Sequence, residues 1–248
     1  MKLQAVLYVS HGTRDEEGKL EVAEFMNKSM PNIDVPIQEY CFLELANPSI
    51  EDGILRLKER GATKIAVIPL LLFLAGHAKR DIPKQIEEMR KKFPNLSFSI
   101  GRPFGVHDLM VDILVDRMLE KQPEIYKTAR ILLVGRGSSD PDTKRYFHDI
   151  ETRLRKKTSV SNISTCYLAA CEPDVDEGLA AVMEDEKAEQ IFIIPYLLFT
   201  GILMKRLERM VSSLSHVNHK LFLCRQLHDH SNLVSLLKER VFEAVEKR

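Results

Sequence analysis

Long hydrophobic runs are absent from this 248-residue sequence. The longest apolar stretch, IAVIPLLLFLAG, is far shorter than the roughly 20 residues that cross a bilayer. The first residues, MKLQAVLYVSHG, contain one lysine and no small-residue cleavage site, so we expect neither a signal peptide nor a membrane anchor. The sequence therefore predicts a cytoplasmic protein with no membrane partner.

An excess of charge of either sign is also missing. The 36 lysines and arginines balance 36 aspartates and glutamates. A general nucleic-acid binder carries a strong basic excess, and this chain does not. We therefore expect no nucleic-acid partner.

Cysteine pairs of the CxxC type do not occur. Cys166 and Cys171 stand five residues apart, which suits neither a zinc site nor a thioredoxin-type redox site. We expect these two, with Cys41 and Cys224, to be buried or partly buried free thiols in a reducing compartment.

Nucleotide-binding motifs are incomplete. The segment GRGSSDPD, which begins at Gly135, is rich in glycine and serine, but no GK[ST] follows it and the third glycine of the Rossmann motif is missing. The segment is therefore only a weak indication of nucleotide binding.

The sequence does contain a second copy of itself, displaced by about 125 residues. The matching segments are FLELANPSIEDGI and YLAACEPDVDEGL (from Phe42 and Tyr167), LYVSHGT and LLVGRGS (from Leu7 and Leu132), and, with one residue deleted, IPLLLFLAGH and IPYLLFTGI (from Ile68 and Ile194). The duplication predicts two similar lobes. Pro123 lies in a polar stretch that suits a boundary, so we expect an N-terminal lobe over 1–122 with the active site and a degenerate C-terminal repeat over 123–248.

Within each copy, short apolar runs alternate with helical periodicity. In the first copy the runs are AVLYVS, VPIQEYCFLEL, KIAVIPLLLF and LSFSIGRPFG. The connections between them are too long for hairpins, so the strands should be parallel. The pattern predicts an α/β fold in which each lobe is a flavodoxin-like, doubly wound, four-stranded parallel sheet.

Two histidines follow strands of the first copy and are missing from the second. His11 follows strand one and His77 follows strand three, while Arg136 and Ile202 stand at the matching positions. Ligands of open parallel sheets bind beyond the carboxyl ends of the strands. Glu44, near the end of strand two, can reach the same edge. Two imidazoles and a carboxylate suit a divalent metal such as iron, cobalt, nickel or zinc, and they also suit proton transfer.

Basic residues follow both histidines. Arg14, Lys79 and Arg80 lie within three residues of them, which favours an anionic, polycarboxylated ligand, whereas Lys84 is interpreted as a solvated helix start. Structural roles are predicted for the remaining histidines, His107, His148, His216, His219, His228 and His230.

Together, LYVSHGTRDEEGKLEVAEF, PLLLFLAGHAKRDIP and VGRGSSDPD resemble the long, duplicated class II tetrapyrrole chelatases, and most closely the sirohydrochlorin ferrochelatases of bacilli. The resemblance covers both lobes. It implies a chelatase-like fold and a lyase that inserts a divalent metal into sirohydrochlorin, the last step of sirohaem biosynthesis. It also implies a metal site with His11 and His77, and, through more distant chelatases, Glu44.

This resemblance suggests roles for the other candidates. Arg14, Lys79 and Arg80 would hold carboxylates of sirohydrochlorin, while Leu72, Phe73 and Leu74 would form an apolar wall for the macrocycle. Fe²⁺ is the expected metal substrate, and no cofactor is required. The alternatives are a cobalt (Co²⁺) or nickel (Ni²⁺) chelatase, or a tetrapyrrole or metal carrier without turnover. The expected assembly is a monomer or a weak homo-oligomer.

Overall fold

A computed structural model describes residues 3–184, 188–215 and 220–246, and these contain two separate sheets of four parallel strands. The strands are β1 (Gln4–Ser10), β2 (Ile37–Phe42), β3 (Lys64–Leu70), β4 (Ser97–Ile100), β5 (Arg130–Gly135), β6 (Asn162–Tyr167), β7 (Ile191–Tyr196) and β8 (Leu221–Leu223). The helices are α1 (Glu16–Ser29), α2 (Ile50–Glu59), α3 (Ile82–Lys92), α4 (Asp108–Leu119), α5 (Asp142–Thr158), α6 (Val175–Met183), α7 (Ile202–Ser215) and α8 (Ser231–Glu246). No helix within these ranges is long and apolar enough to cross a membrane.

The two sheets have the same strand order, which confirms the predicted flavodoxin-like arrangement. The orders are β2-β1-β3-β4 and β6-β5-β7-β8. In the first sheet β1 lies beside β3, and Ser10 is paired with Leu70 at their carboxyl ends. The segments that follow these two strands therefore leave the sheet at one edge.

Burial follows the sequence pattern. Six of the seven residues of β1 and of β3 are buried, as expected for parallel strands covered by helices on both faces. Ser49 and Asp52 form a capping box at the start of α2, and Asp174 and Glu177 form its counterpart at α6. The duplicated segments thus fold by the same local rules.

The chain divides into two compact units whose residue ranges differ from the predicted lobes, 1–122 and 123–248. The first unit comprises Met1–Gly105 with Leu233–Arg248, and the second comprises Val106–Asn232. The last helix of each copy therefore belongs with the sheet of the other copy, so that α8 is part of the first unit and α4 is part of the second.

A buried arginine holds each of these two helices. Arg240 of α8 is 2% exposed, and it donates from Nε to the Pro103 carbonyl (3.1 Å) and from Nη2 to the Phe104 carbonyl (2.9 Å). Arg117 of α4 is 1% exposed and donates from Nε to the Gln226 carbonyl at 2.9 Å. Helical periodicity shows that such a helix has a buried face, but it does not show which sheet the face covers. The predicted boundary, drawn at the polar stretch around Pro123, placed α4 in the first lobe and α8 in the second.

Candidate metal centre

The two predicted histidines meet at the carboxyl edge of the first sheet. Their Nε2 atoms lie 3.0 Å apart, and the rings are almost perpendicular, at 88° with centroids separated by 4.4 Å. Glu44 joins them, with Oε1 at 3.5 Å from His11 Nε2. The side chains of His11, His77 and Glu44 remain 22%, 34% and 47% exposed, so an incoming ion can reach them.

Glu44 reaches His11 because the pairing of β1 with β2 continues beyond the strands. The backbone N–H of Leu43 donates to the Ser10 carbonyl at 2.8 Å, and that of Glu44 donates to the His11 carbonyl at 3.1 Å. Gly12 makes this approach possible. Its φ is +98°, and a Cβ there would lie 1.8 Å from the Glu44 carbonyl oxygen. Local backbone geometry therefore places an imidazole beside a carboxylate.

The distances between these side chains suit a divalent ion. Metal–nitrogen bonds of about 2.0–2.1 Å across a 3.0 Å nitrogen separation give an angle of roughly 90–97° at the ion. His11, Glu44 and His77 can offer ligand atoms that all lie within 4.8 Å of one another. An N₂O donor set of this kind accepts iron, cobalt, nickel and zinc.

Asp81 contacts the outer side of His77, and sequence reasoning missed this residue. Its Oδ2 lies 2.8 Å from His77 Nδ1. The two residues are the ends of a single π-helical turn over His77–Asp81, closed by the N–H of Ile82 donating to the His77 carbonyl. Such turns are frequent at functional sites. The spacing of four residues from a candidate ligand was a signal available in the sequence.

A cavity of about 540 Å³ opens beside the centre, and carboxylates dominate its charged lining. Among the described residues, the charged groups that line it are the carboxylates of Glu44, Glu51, Asp81 and Glu88 and one cation, Lys84. Glu51 also forms an ion pair with Lys92. The cavity therefore attracts cations more than it attracts a polycarboxylate.

The three basic residues predicted to bind substrate, Arg14, Lys79 and Arg80, are called the basic rim. They lie outside this cavity. Arg14, Lys79 and Arg80 are exposed, and the cavity lining includes Lys84 instead of them. Arg80 remains near the histidines, since its Nη2 lies 3.2 Å from the point where a Cβ on Gly76 would stand. Leu74 is exposed in the same segment, while Leu72 and Phe73 are half-buried. A substrate role for these residues stays a prediction.

The matching edge of the second unit keeps the backbone and lacks the ligands. Gly137 has a φ of +84°, and a Cβ there would lie 1.7 Å from the Ala169 carbonyl oxygen, as at Gly12. Arg136 is exposed, and Ile202 is 69% exposed at the first position of α7. The duplicated scaffold is therefore present without its imidazoles.

Two other histidines have structural roles, as predicted. His107 accepts from the N–H of Leu109 at 3.2 Å at the start of α4, and His230 accepts from the N–H of Asn232 at 3.1 Å. His148 is exposed and the ring of His228 lies against Phe199, with centroids 6.0 Å apart. The prediction for His216 and His219 falls outside the described residues.

The four cysteines are free thiols, which confirms the prediction from their spacing. Cys41, Cys166 and Cys224 are buried and Cys171 is half-buried. Burial raises the pKa of the Cys166 and Cys224 thiols to about 12, and it raises that of Cys41 as well. The three buried thiols therefore stay protonated at neutral pH and are poor metal ligands.

Comparison with known proteins identifies the family. The CbiX family model matches residues 5–121 and again 130–244. A sirohydrochlorin ferrochelatase of Priestia megaterium is 44% identical over 96% of this chain and 90% of its own length. A sirohydrochlorin cobaltochelatase of the same organism is 36% identical over 98% of this chain and 81% of its own. The solved structure of SirB from Bacillus subtilis with Fe³⁺ superposes with a TM-score of 0.90 at 39% identity, covering 99% of this chain and 96% of SirB.

Proposed function

Because the chain belongs to the CbiX family, we propose that it is a sirohydrochlorin ferrochelatase, a lyase that inserts Fe²⁺ into sirohydrochlorin to form sirohaem. The observation that carries the proposal is the pair of Nε2 atoms 3.0 Å apart at the carboxyl edge of the first sheet. With Glu44 beside them, they form a donor set for the metal substrate.

The same Nε2 atoms can deliver the metal and accept the pyrrole protons. Insertion of a divalent ion forms metal bonds to the macrocycle and releases two pyrrole protons. When an Nε2 atom gives up the ion to a pyrrole nitrogen, its lone pair becomes available as a base for a pyrrole proton. His11 and His77 can therefore exchange a metal for protons, and the two roles need not be divided between them. Glu44 supports the charge of the ion.

The proposal needs no further cofactor. Iron is a substrate, and metal insertion requires no change in its oxidation state and no nucleotide. We place the protein in the cytoplasm, as a monomer or weak homo-oligomer.

Parallel anaerobic assays with sirohydrochlorin and Fe²⁺, Co²⁺ or Ni²⁺ test the function. Metallation changes the absorption spectrum of the macrocycle, so each rate can be read against the rate without protein. We expect catalysed insertion with the highest kcat/KM for Fe²⁺. A highest value for Co²⁺ would favour the second candidate, a cobaltochelatase, which the 36% identity to such an enzyme supports. A rate at the background level with all three ions would exclude a chelatase.

The basic rim gives a prediction about substrate binding. Replacing Arg14, Lys79 and Arg80 by Ala in pairs should raise the KM for sirohydrochlorin about three- to tenfold at low salt. It should also weaken the dependence of KM on salt, because screening acts on exposed charges. The affinity for the metal alone should change little.

The control for this prediction is the pair Arg56→Ala and Lys91→Ala. Both cations are exposed in the last turns of α2 and α3, at the opposite edge of the first sheet because the helices run back against the strands. This pair should leave KM unchanged. If KM is also unchanged in the rim variants, Arg14, Lys79 and Arg80 do not bind the substrate and are ordinary surface residues.

A further inference from the structure

The geometry points to Asp81 as a positioning residue, which holds the ring of His77 in the tautomer whose Nε2 lone pair faces the metal position. This role rests on the proposed function in one respect, that a divalent ion binds between the two histidines. Asp81 would touch neither the ion nor the macrocycle, since it contacts the far nitrogen of the ring.

The hydrogen bond between Asp81 and His77 determines where the hydrogen lies. A carboxylate accepts hydrogen bonds and has none to donate, so at 2.8 Å from Asp81 Oδ2 the hydrogen must lie on His77 Nδ1. A neutral imidazole has one N–H. The Nε2 atom of His77 is then left with its lone pair, which is the form that binds a metal.

His11 is held in the same way by its own backbone. Its Nδ1 lies 3.1 Å from the Gly12 carbonyl oxygen, which also only accepts. With both Nδ1 atoms donating, two Nε2 lone pairs face each other across 3.0 Å. At this distance a proton or a divalent ion must lie between the two lone pairs, so an incoming ion takes the place of a proton.

Comparison of the two copies indicates that the fold does not require Asp81. In the second copy, other residues stand at the positions of the site. Arg136 matches His11, and Ala169 matches Glu44. Ile202 matches His77, and Arg206 matches Asp81. The next position is kept apolar and fully buried in both copies, by Ile82 and Leu207. Arg206 instead pairs with Asp176, at 3.3 Å. The carboxylate is thus lost together with the candidate ligands while the neighbouring core position is kept.

The test uses the metal-free protein first. In protein labelled with ¹⁵N-histidine, the ring signals of neutral His77 should report hydrogen on Nδ1, and Asp81→Ala should move hydrogen to Nε2. With Co²⁺ as the probe and no tetrapyrrole present, Asp81→Ala should bind the ion about 10- to 100-fold more weakly. A tautomer that does not change in Asp81→Ala, or a Co²⁺ affinity within twofold of the wild type, would overturn the role.

Two further variants separate positioning from charge. Asp81→Asn keeps an oxygen that can accept from Nδ1, so it should retain the tautomer and most of the Co²⁺ affinity. An affinity as low as that of Asp81→Ala, with the tautomer retained, would show that charge and not ring orientation matters, and would also overturn the role. Glu88→Gln removes a charge that lines the same cavity, and it should leave the His77 signals unchanged. Because these readouts need no sirohydrochlorin, they are independent of whether the protein catalyses insertion.

Discussion

His11→Ala and His77→Ala should each lower the rate of metal insertion by about 10²–10³-fold, equivalent to about 3–4 kcal/mol of activation free energy. Each change removes one of two nitrogen ligands and one of two bases. Folding should be almost unaffected, because both side chains lie at the edge of the sheet and are partly exposed. Insertion is measured from the macrocycle spectrum, and folding from thermal unfolding.

The duplication supplies the matched controls for the histidine variants. Arg136→Ala and Ile202→Ala change the same two positions in the second copy, and each should reduce turnover by tenfold at most, about 1.4 kcal/mol. If either of these folded variants lost activity as completely as His11→Ala, both units would have to contribute to the chemistry. If the histidine variants keep activity within a few-fold of the wild type, the proposed metal centre is wrong.

Gly12→Ala should destabilise the protein by about 2–5 kcal/mol and reduce insertion by at least about 100-fold in the molecules that fold. The new Cβ would meet the Glu44 carbonyl oxygen at 1.8 Å, and the backbone φ of +98° is unfavourable for alanine. The loop must therefore move, and its movement separates His11 from Glu44. Denaturant unfolding measures the first effect and single-turnover insertion the second.

Gly137→Ala distinguishes the two effects of Gly12→Ala. It makes the same clash, at 1.7 Å from the Ala169 carbonyl oxygen, in the unit that lacks the candidate ligands. A similar loss of stability is expected, with nearly normal insertion by the folded protein. Equal loss of activity in the two variants would show that the Gly12 loop has no special connection to the metal centre.

Much of the fold follows from the sequence because its signals are local. Apolar runs with helical periodicity between them predict the strands and helices, and the long connections predict parallel pairing. The duplication shows which polar residues the scaffold does not need. Since β1 lies beside β3 in the predicted strand order, the encounter of His11 with His77 could also be expected.

The placement of α4 in the second unit and of α8 in the first unit could not be predicted in the same way. It appears in contacts between residues more than 100 positions apart, such as the hydrogen bond of Arg240 with the Pro103 carbonyl, whereas sequence signals are local. The acidic cavity was missed for a related reason. Its carboxylates come from separate segments, and three of them, Glu51, Asp81 and Glu88, are ordinary surface residues when read one at a time.

Transfer of protein-bound iron tests the central claim most directly. The protein is loaded anaerobically with one equivalent of Fe²⁺, and sirohydrochlorin is added with no other metal present. We expect wild type and the Arg136→Ala/Ile202→Ala variant to metallate the macrocycle much faster than the same iron in buffer, and the His11→Ala/His77→Ala variant to show the rate in buffer. Wild-type transfer no faster than that rate would indicate a carrier, and equally fast transfer by the histidine variant would place the chemistry elsewhere in the chain.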